Sequence, residues 1–238
     1  MEEIRPALPV KVLLIAILLL TGCVAGRNPA DPLEPLNRGI FKINDSIDKA
    51  VIKPVAQGYK KVMPLTGQIM VLNFFSNLDD VVVTANDLLQ FKLVQGISDG
   101  MRVVVNSTIG VFGLIDVAST GGLKKHNEDF GQTLGKWGVG NGPYIVLPII
   151  GPSTVRDGFG YYADLYIDPM YQIDDMRTRN QTYLARNITR RADLLDQEKV
   201  LDEAMIDPYS FRRDTYLLHR KNLVYDGNLP RARYDFDE

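Results

Sequence analysis

The sequence predicts a mainly α-helical fold built from amphipathic helices that lie at an interface, with a glycine-rich loop or short hairpin near its middle. Three observations lead there. Apolar residues recur at intervals of three and four along much of the chain. Beyond the N-terminal leader, each long apolar stretch is broken by polar side chains, so no window of about 18 residues is free of them and ordinary transmembrane spanning is disfavoured. Glycines cluster between Gly121 and Gly151, around Trp137, Tyr144 and Pro148.

The chain has 238 residues, 27 Lys plus Arg against 29 Asp plus Glu, and one Cys. That length supports a real core in one or two domains, and one cysteine excludes a disulfide scaffold. With 45% hydrophobic residues and a formal charge of -2, the chain is neither a disordered polymer nor a polycation for phosphate backbones, so nucleic acid is not an expected partner. Arg5 and Lys11 precede an apolar run, Val12 to Leu20, too short to cross a hydrocarbon core of roughly 30 Å. It reads as a signal peptide over residues 1–22. Leu20-Thr21-Gly22-Cys23 follows, a lipobox-like sequence in which the lone thiol is placed to take a diacylglycerol. The bland alternative is a free or buried cysteine after an ordinary leader. Val24, not Asp, follows Cys23, so an inner-membrane retention signal is absent and outer-membrane delivery is favoured. Acyl chains at about 0.8 kcal/mol per buried CH2 would hold the mature chain at a leaflet.

Residues 23–35 read as an acylated tether. Leu36, Ile40, Ile43, Ile47 and Val51 then mark an amphipathic helix that Pro54 should kink or end near Lys53. Helix is expected from about Leu65 to Leu78, continuing through 79–95, although Val81, Val82 and Val83 would equally suit a strand. In the glycine-rich part, Tyr144 to Ile150 is expected as an edge strand opposite Gly135 to Val139, and Ser153 as the cap of a helix from about Thr154. A polar segment with Arg177, Arg179 and Asn180 precedes a long helix carrying Leu184, Ile188, Leu195 and Leu201. Asp207-Pro208 caps a last helix that ends before Asp226-Gly227, and residues 228–238 form a polar tail.

Enzyme signatures are missing: the sequence holds no HExxH, paired CxxC, GxSxG or GxxxxGK[ST]. With two histidines, His126 and His219, and Cys23 assigned to lipid, no Cys/His metal cluster and no cofactor are expected. His126 reads as an exposed loop residue. Asp79 with Asp80, and Glu128 with Asp129, read as capping, ion-paired or solvated groups before they read as a catalytic dyad. A phospholipase is disfavoured because no nucleophile constellation is present.

Asp31-Pro32-Leu33-Glu34-Pro35-Leu36-Asn37-Arg38, with Phe41 and Asn44, resembles the start of the mature VacJ/MlaA family of outer-membrane lipoproteins. The resemblance continues through Asn73-Phe74-Phe75-Ser76-Asn77-Leu78, through Gly110, Gly113, Leu114, Asp116 and Ala118, and through the run from Glu128 to Gly138. Gly142-Pro143-Tyr144, Leu147-Pro148, Gly151-Pro152-Ser153, Arg156-Asp157-Gly158 and then Tyr209, Arg213, Tyr216 and Arg220 complete it. It covers essentially the whole mature chain, so residues 36–227 are expected to be one lipid-channel domain. The resemblance implies a ring-like helical lipoprotein, anchored at the periplasmic leaflet of the outer membrane. Such proteins take mislocalised phospholipid from the outer leaflet through an amphipathic channel to a periplasmic lipid-binding carrier, and associate with trimeric porins. It implies no enzymatic step.

Within that reading, Asn73, Phe74 and Asn77 are candidates for lining or gating the channel, with simple helix packing as the alternative. Gly138, Gly140 and Gly142 are candidates for a flexible ridge at its mouth, or else form a fixed turn. Arg102, Lys124, Lys125 and Arg156 either attract the lipid phosphate or are merely solvated. The remaining functional alternative is a noncatalytic envelope scaffold that binds porins or periplasmic proteins.

Overall fold

The computed structural model describes residues 28–202 and 205–229; the leader, Cys23, residues 24–27 of the tether and the end of the tail lie outside them. Helices dominate. Helix α1 (Glu34–Ile47) runs through a π-helical turn (Asp48–Ile52) into α2 (Lys53–Val62). The helix therefore passes Pro54 instead of ending there. Proline has no N–H to donate and its ring crowds the carbonyl four residues back, and the widened turn, in which Lys53 N–H donates to Asp48 O, relieves both.

Helix α3 (Leu65–Leu89) takes in the valine triplet as helix and pairs antiparallel with α4 (Leu93–Thr108) across a three-residue turn. The short helices α5 (Val117–Thr120) and α6 (Phe130–Lys136) follow, each capped by an aspartate: Asp116 accepts from Ser119 N–H and Asp129 from Gln132 N–H. Helix α6 falls in a stretch expected to be loop, because the Asp129 cap and the Phe130 ring against Trp137 outweigh its glycines.

Strand β1 (Tyr144–Leu147) pairs with β2 (Gly151–Thr154), in the register Tyr144 to Thr154 and Leu147 to Gly151. The expected partner, Gly135 to Val139, is instead the end of α6 and the turn after it. Pro148 escapes the ladder by sitting in the connecting turn. Thr154, not Ser153, caps α7 (Val155–Ile167), its hydroxyl accepting from Asp157 N–H at 3.1 Å. A 3-10 turn (Pro169–Gln172) leads to α8 (Met176–Asp202), which absorbs the polar segment around Arg177, and then α9 (Pro208–Val224), capped by Asp207 as expected.

Helices α6 and α7 nearly touch: a Cβ on Gly160 would lie 2.3 Å from Gly131 N, so neither glycine tolerates a side chain. Among the described residues two small apolar clusters form, Ala56, Ala192 and Leu195 between α2 and α8, and Tyr144, Val146 and Tyr209 under the hairpin. Elsewhere the interior is mainly polar, with scattered apolar residues such as Phe75, Val83 and Met170. Among the described residues, buried polar and charged side chains outnumber buried hydrophobic ones, while Val94, Phe91, Phe112, Ile97 and Val62 are largely exposed. Helix α4 shows the arrangement most clearly, burying Gly96, Asp99, Arg102 and Asn106 and exposing Val94, Ile97, Met101 and Val104 one or two turns apart.

Candidate functional site

The hairpin is held by a helix, not by a wider sheet. Asn37 and Asn44 lie two turns apart on one face of α1, and each amide side chain acts as a peptide unit toward the hairpin. Asn37 donates to Tyr144 O at 3.0 Å and accepts from Val146 N–H at 2.9 Å; Asn44 donates to Leu147 O at 2.9 Å and accepts from Ile149 N–H at 2.8 Å. Asn37 also donates to Asp31, which Tyr209 and Arg213 hold from α9. The tip that results is Ile149-Ile150. Ile149 has φ +67°, a left-handed conformation that a β-branched residue avoids, and its side chain is 75% exposed.

Three cavities meet at this tip. The largest, about 630 Å³, lies between the π-turn, α2, α7 and α8 and is lined by Val51, Ile52, Val55, Leu165, Leu184 and Ile188, among others, with Arg186, Arg190 and Arg191. A second of about 450 Å³ shares Asp48, Ile52, Ile149, Ile150, Arg191 and Leu194 with it and reaches Phe41 and Phe211. A third of about 160 Å³ shares Ile150 and Tyr161 with the first and is lined by Asp129, Asp157, Asp164 and Arg220. Apolar walls with charged groups in a few places suit an amphipathic guest.

The charges are paired. Arg191 grips Asp48 with two hydrogen bonds of 2.8 Å and also reaches Glu198. That contact holds the Asp48 carboxyl below its ordinary value, despite its burial. Burial pushes Glu198 up, and Arg191 and Lys53 outweigh it, so it too is lowered. Arg186 bridges Asp79 and Asp168 at 2.7 and 2.8 Å, and Arg190 holds Asp79. Beside the smallest cavity, Arg220 joins Asp129 to Asp157, while burial pushes the Asp164 carboxyl up to about 6 against hydrogen bonds from Phe130 N–H and Asn86.

The residues singled out in the sequence fall elsewhere. Asn73 donates to Leu114 O at 3.2 Å and Asn77 to Ser107 Oγ at 2.9 Å, so both tie α3 to the end of α4 and the turn beyond. Phe74 stands edge-on to Phe75. Gly138 and Gly142 have φ of +90° and +65°, and with Gly140 they form an exposed turn that displays Trp137 and Val139. None of these six lines the three cavities at the hairpin tip. Arg102 is buried against Asp80 and Asp116, Lys125 holds Asp80 and Ser76 O, and Arg156 holds Asp157; Lys124 is exposed.

The acidic pairs are structural. Asp79 and Asp80 are ion-paired, Glu128 holds Lys92, and Asp129 caps α6. His126, expected to be free in a loop, is half-buried with Nδ1 2.8 Å from Asp99 Oδ2. Sequence reasoning missed Asn37 and Asn44 as hairpin anchors, the Ile149-Ile150 tip and the arginines of α8. The two asparagines seven residues apart were a usable signal. Among the described residues, no group of three or more His, Cys, Asp or Glu side chains is placed to hold a metal, and no helix is long and apolar enough to cross a membrane.

A helical chain with a polar interior, an apolar exterior and an amphipathic cavity is of the class that works among lipids. Residues 29–223 match the model of the MlaA lipoprotein family, and this chain belongs to that family. It is 31% identical to the intermembrane phospholipid transport system lipoprotein MlaA of Escherichia coli (strain K12) over 93% of this chain and 91% of that protein. The protein of the same name from Haemophilus influenzae is 32% identical over 92% of each. A chain solved in work on the structural basis for maintenance of bacterial outer membrane lipid asymmetry superposes with a TM-score of 0.73, at 32% identity, over 83% of this chain and all of that one.

Proposed function

We propose that this chain is an outer-membrane lipoprotein that removes mislocalised phospholipid and so maintains lipid asymmetry; its relatives are named for intermembrane phospholipid transport, and the solved neighbour comes from work on outer membrane lipid asymmetry. The observation that carries the reading is the inversion of polarity across α4, in a chain that also holds amphipathic cavities at the hairpin tip. Side chains such as Val94, Ile97, Met101 and Val104 face outward as they would toward acyl tails, while the charged and amide groups face inward. A phospholipid can keep its tails on that outer surface and its head group against the paired charges inside.

In this reading the helices form a ring in the periplasmic leaflet, with Cys23 acylated as the anchor. The passage is centred on the Ile149-Ile150 tip. Asn73, Phe74 and Asn77 gate it through the α3–α4 junction, and Gly138, Gly140 and Gly142 through the turn that presents Trp137. Lys124 offers the lipid phosphate an exposed ammonium; Arg102, Lys125 and Arg156 act on the head group only by releasing carboxylates. Phospholipid leaves to a periplasmic lipid-binding carrier, a trimeric porin holds the protein in place, and the lipoprotein itself makes and breaks no bond.

The experiment is transfer of labelled phospholipid from asymmetric vesicles bearing the acylated protein to a purified periplasmic carrier, with and without porin. Protein-dependent transfer is expected. Stable binding of porin or carrier with no lipid occupancy and no transfer would favour the scaffold, to which the exposed tyrosines Tyr162, Tyr166 and Tyr171 would lend a surface.

A further inference from the structure

Helices α3 and α4 enclose a group of side chains that the lipid passage does not use. Asp87 on α3 and Asp99 on α4 are both 0% exposed. One oxygen of each carboxyl is engaged: Gln95 Nε2 donates to Asp87 Oδ1 at 2.7 Å, and His126 Nδ1 lies 2.8 Å from Asp99 Oδ2. The other two, Asp87 Oδ2 and Asp99 Oδ1, are buried without a donor. Ionised carboxylates only accept hydrogen bonds, so two of them left bare in one interior are each unsatisfied and repel. A single proton between them turns one into a donor. Gly96 allows the approach, since a Cβ there would come within 3.2 Å of Asp87 Cβ.

We propose that Asp87 and Asp99 share one proton across the α3–α4 interface, Asp87 Oδ2–H donating to Asp99 Oδ1, and that its loss in mildly alkaline conditions loosens α4 from α3. The proton moves between water and the Asp87 carboxyl, and no other bond changes. The surroundings agree in sign. Burial, the hydrogen bond with Asp99 and the charges of Asp99 and Glu128 push the Asp87 carboxyl up to about 8, against the pull of Lys92.

The other charged groups around the pair are already committed. Lys92, in the α3–α4 turn, is divided between Glu128 and Asp226, the latter from the segment after α9 and shared with Lys136 of α6. Farther along the interface, Arg102 of α4 and Lys125 of the segment before α6 hold Asp80, and Asp164 of α7 accepts from Asn86 beside Asp87. Lys92, Arg102 and Lys125 thus each hold a carboxylate outside the pair. His126 and the neutral Gln95, both partly open to water, touch the pair, at Asp99 and Asp87 respectively.

A carboxyl raised on folding contributes stability that is complete below its unfolded value near 4 and is lost as pH rises through about 8. The test compares the full-length protein in detergent with Asp87→Asn, whose amide donates to Asp99 permanently and still accepts from Gln95. The thermal midpoint of the wild type should fall by several degrees relative to the variant between about pH 5 and about pH 8 and run parallel above. Infrared difference spectra should show a protonated-carboxyl carbonyl band near neutrality that vanishes with the same midpoint and is missing from the variant. Parallel midpoints across the whole range, or a band that Asp87→Asn leaves intact, would overturn the proposal. Should Asp87→Asn fail to fold, the wild-type spectrum decides. A carbonyl band titrating near pH 8, distinct from one near pH 6 for Asp164, supports the shared proton, and its absence refutes it.

Discussion

Helices α4 and α8 meet their surroundings in different ways: α4 is strongly amphipathic, whereas α8 is polar along most of its length. Helix α4 turns Asp99, Arg102 and Asn106 inward and Val94, Ile97, Met101 and Val104 outward. Helix α8 buries Ala192 and Leu195 against Ala56 of α2 and carries arginines that pair with carboxylates along the cavity. The α4 arrangement is costly in water and stable in hydrocarbon; the α8 arrangement is that of an ordinary helix beside a polar opening. In the proposed reading α4 faces lipid and α8 faces water, and the cavities lie on the α8 side.

The largest effect should come from breaking the ion pair under α4. Arg102→Ala strands Asp80 in a dry interior, with only Lys125 left to it, and should cost about 3–5 kcal/mol by denaturant unfolding in detergent. Arg191→Ala on the cavity side, where the side chain is 17% exposed, should cost about 1–3 kcal/mol. Equal losses would erase the distinction between the two regions. Next, Val104→Asp puts a carboxylate on the outer stripe and should weaken partition into vesicles by on the order of 2 kcal/mol, read by flotation of the unacylated protein.

Asn37→Ala removes three hydrogen bonds from a fully enclosed side chain, including both to β1, and should destabilise by about 1–3 kcal/mol while freeing the hairpin tip. Hydrogen exchange at Val146 N–H would report it. The smallest effect is acidic. Burial raises the Asp116 carboxyl, but hydrogen bonds from Ser119 and Asn106 and the charge of Arg102 bring it down to about 2. Its contribution is present above about pH 4 and is lost as pH falls toward 2, so Asp116→Asn should flatten the acid limb of the stability profile.

Several helices were legible in the sequence because periodicity survives inversion, but the expected helix over 79–95 breaks at residues 90–92, and the stripe Val94, Ile97, Met101 and Val104 that begins the next helix went unread. The direction of the stripe was not written there; Cys23 with its leader and the family resemblance pointed to lipid. Local chemistry misled at two places. Thr154 caps where Ser153 was expected, and β1 pairs forward with β2 because the Pro148–Ile150 turn reverses the chain; of the two expectations at Pro54, a kink or an end, the end is excluded because the helix runs on through a π-turn. The candidate site was hardest, since Arg102 and Arg156 are indistinguishable in sequence from free cations, and only packing reveals that Asp80 and Asp157 hold them. The cavity arose from residues far apart in the chain, such as Asp48, Ile150 and Arg191, which no local pattern joins.

The central claim, that the outer face of α4 lies in lipid while α8 borders water, is open to one direct measurement. Nitroxide labels at Ile97 and Val104 on α4 and at Asn187 on α8 of the vesicle-reconstituted protein can be relaxed by oxygen, which dissolves in the bilayer, or by a water-soluble nickel chelate. The α4 labels should respond to oxygen and be shielded from nickel, and the α8 label should respond to nickel. Labels on α4 that meet nickel as freely as the one on α8 would contradict the account.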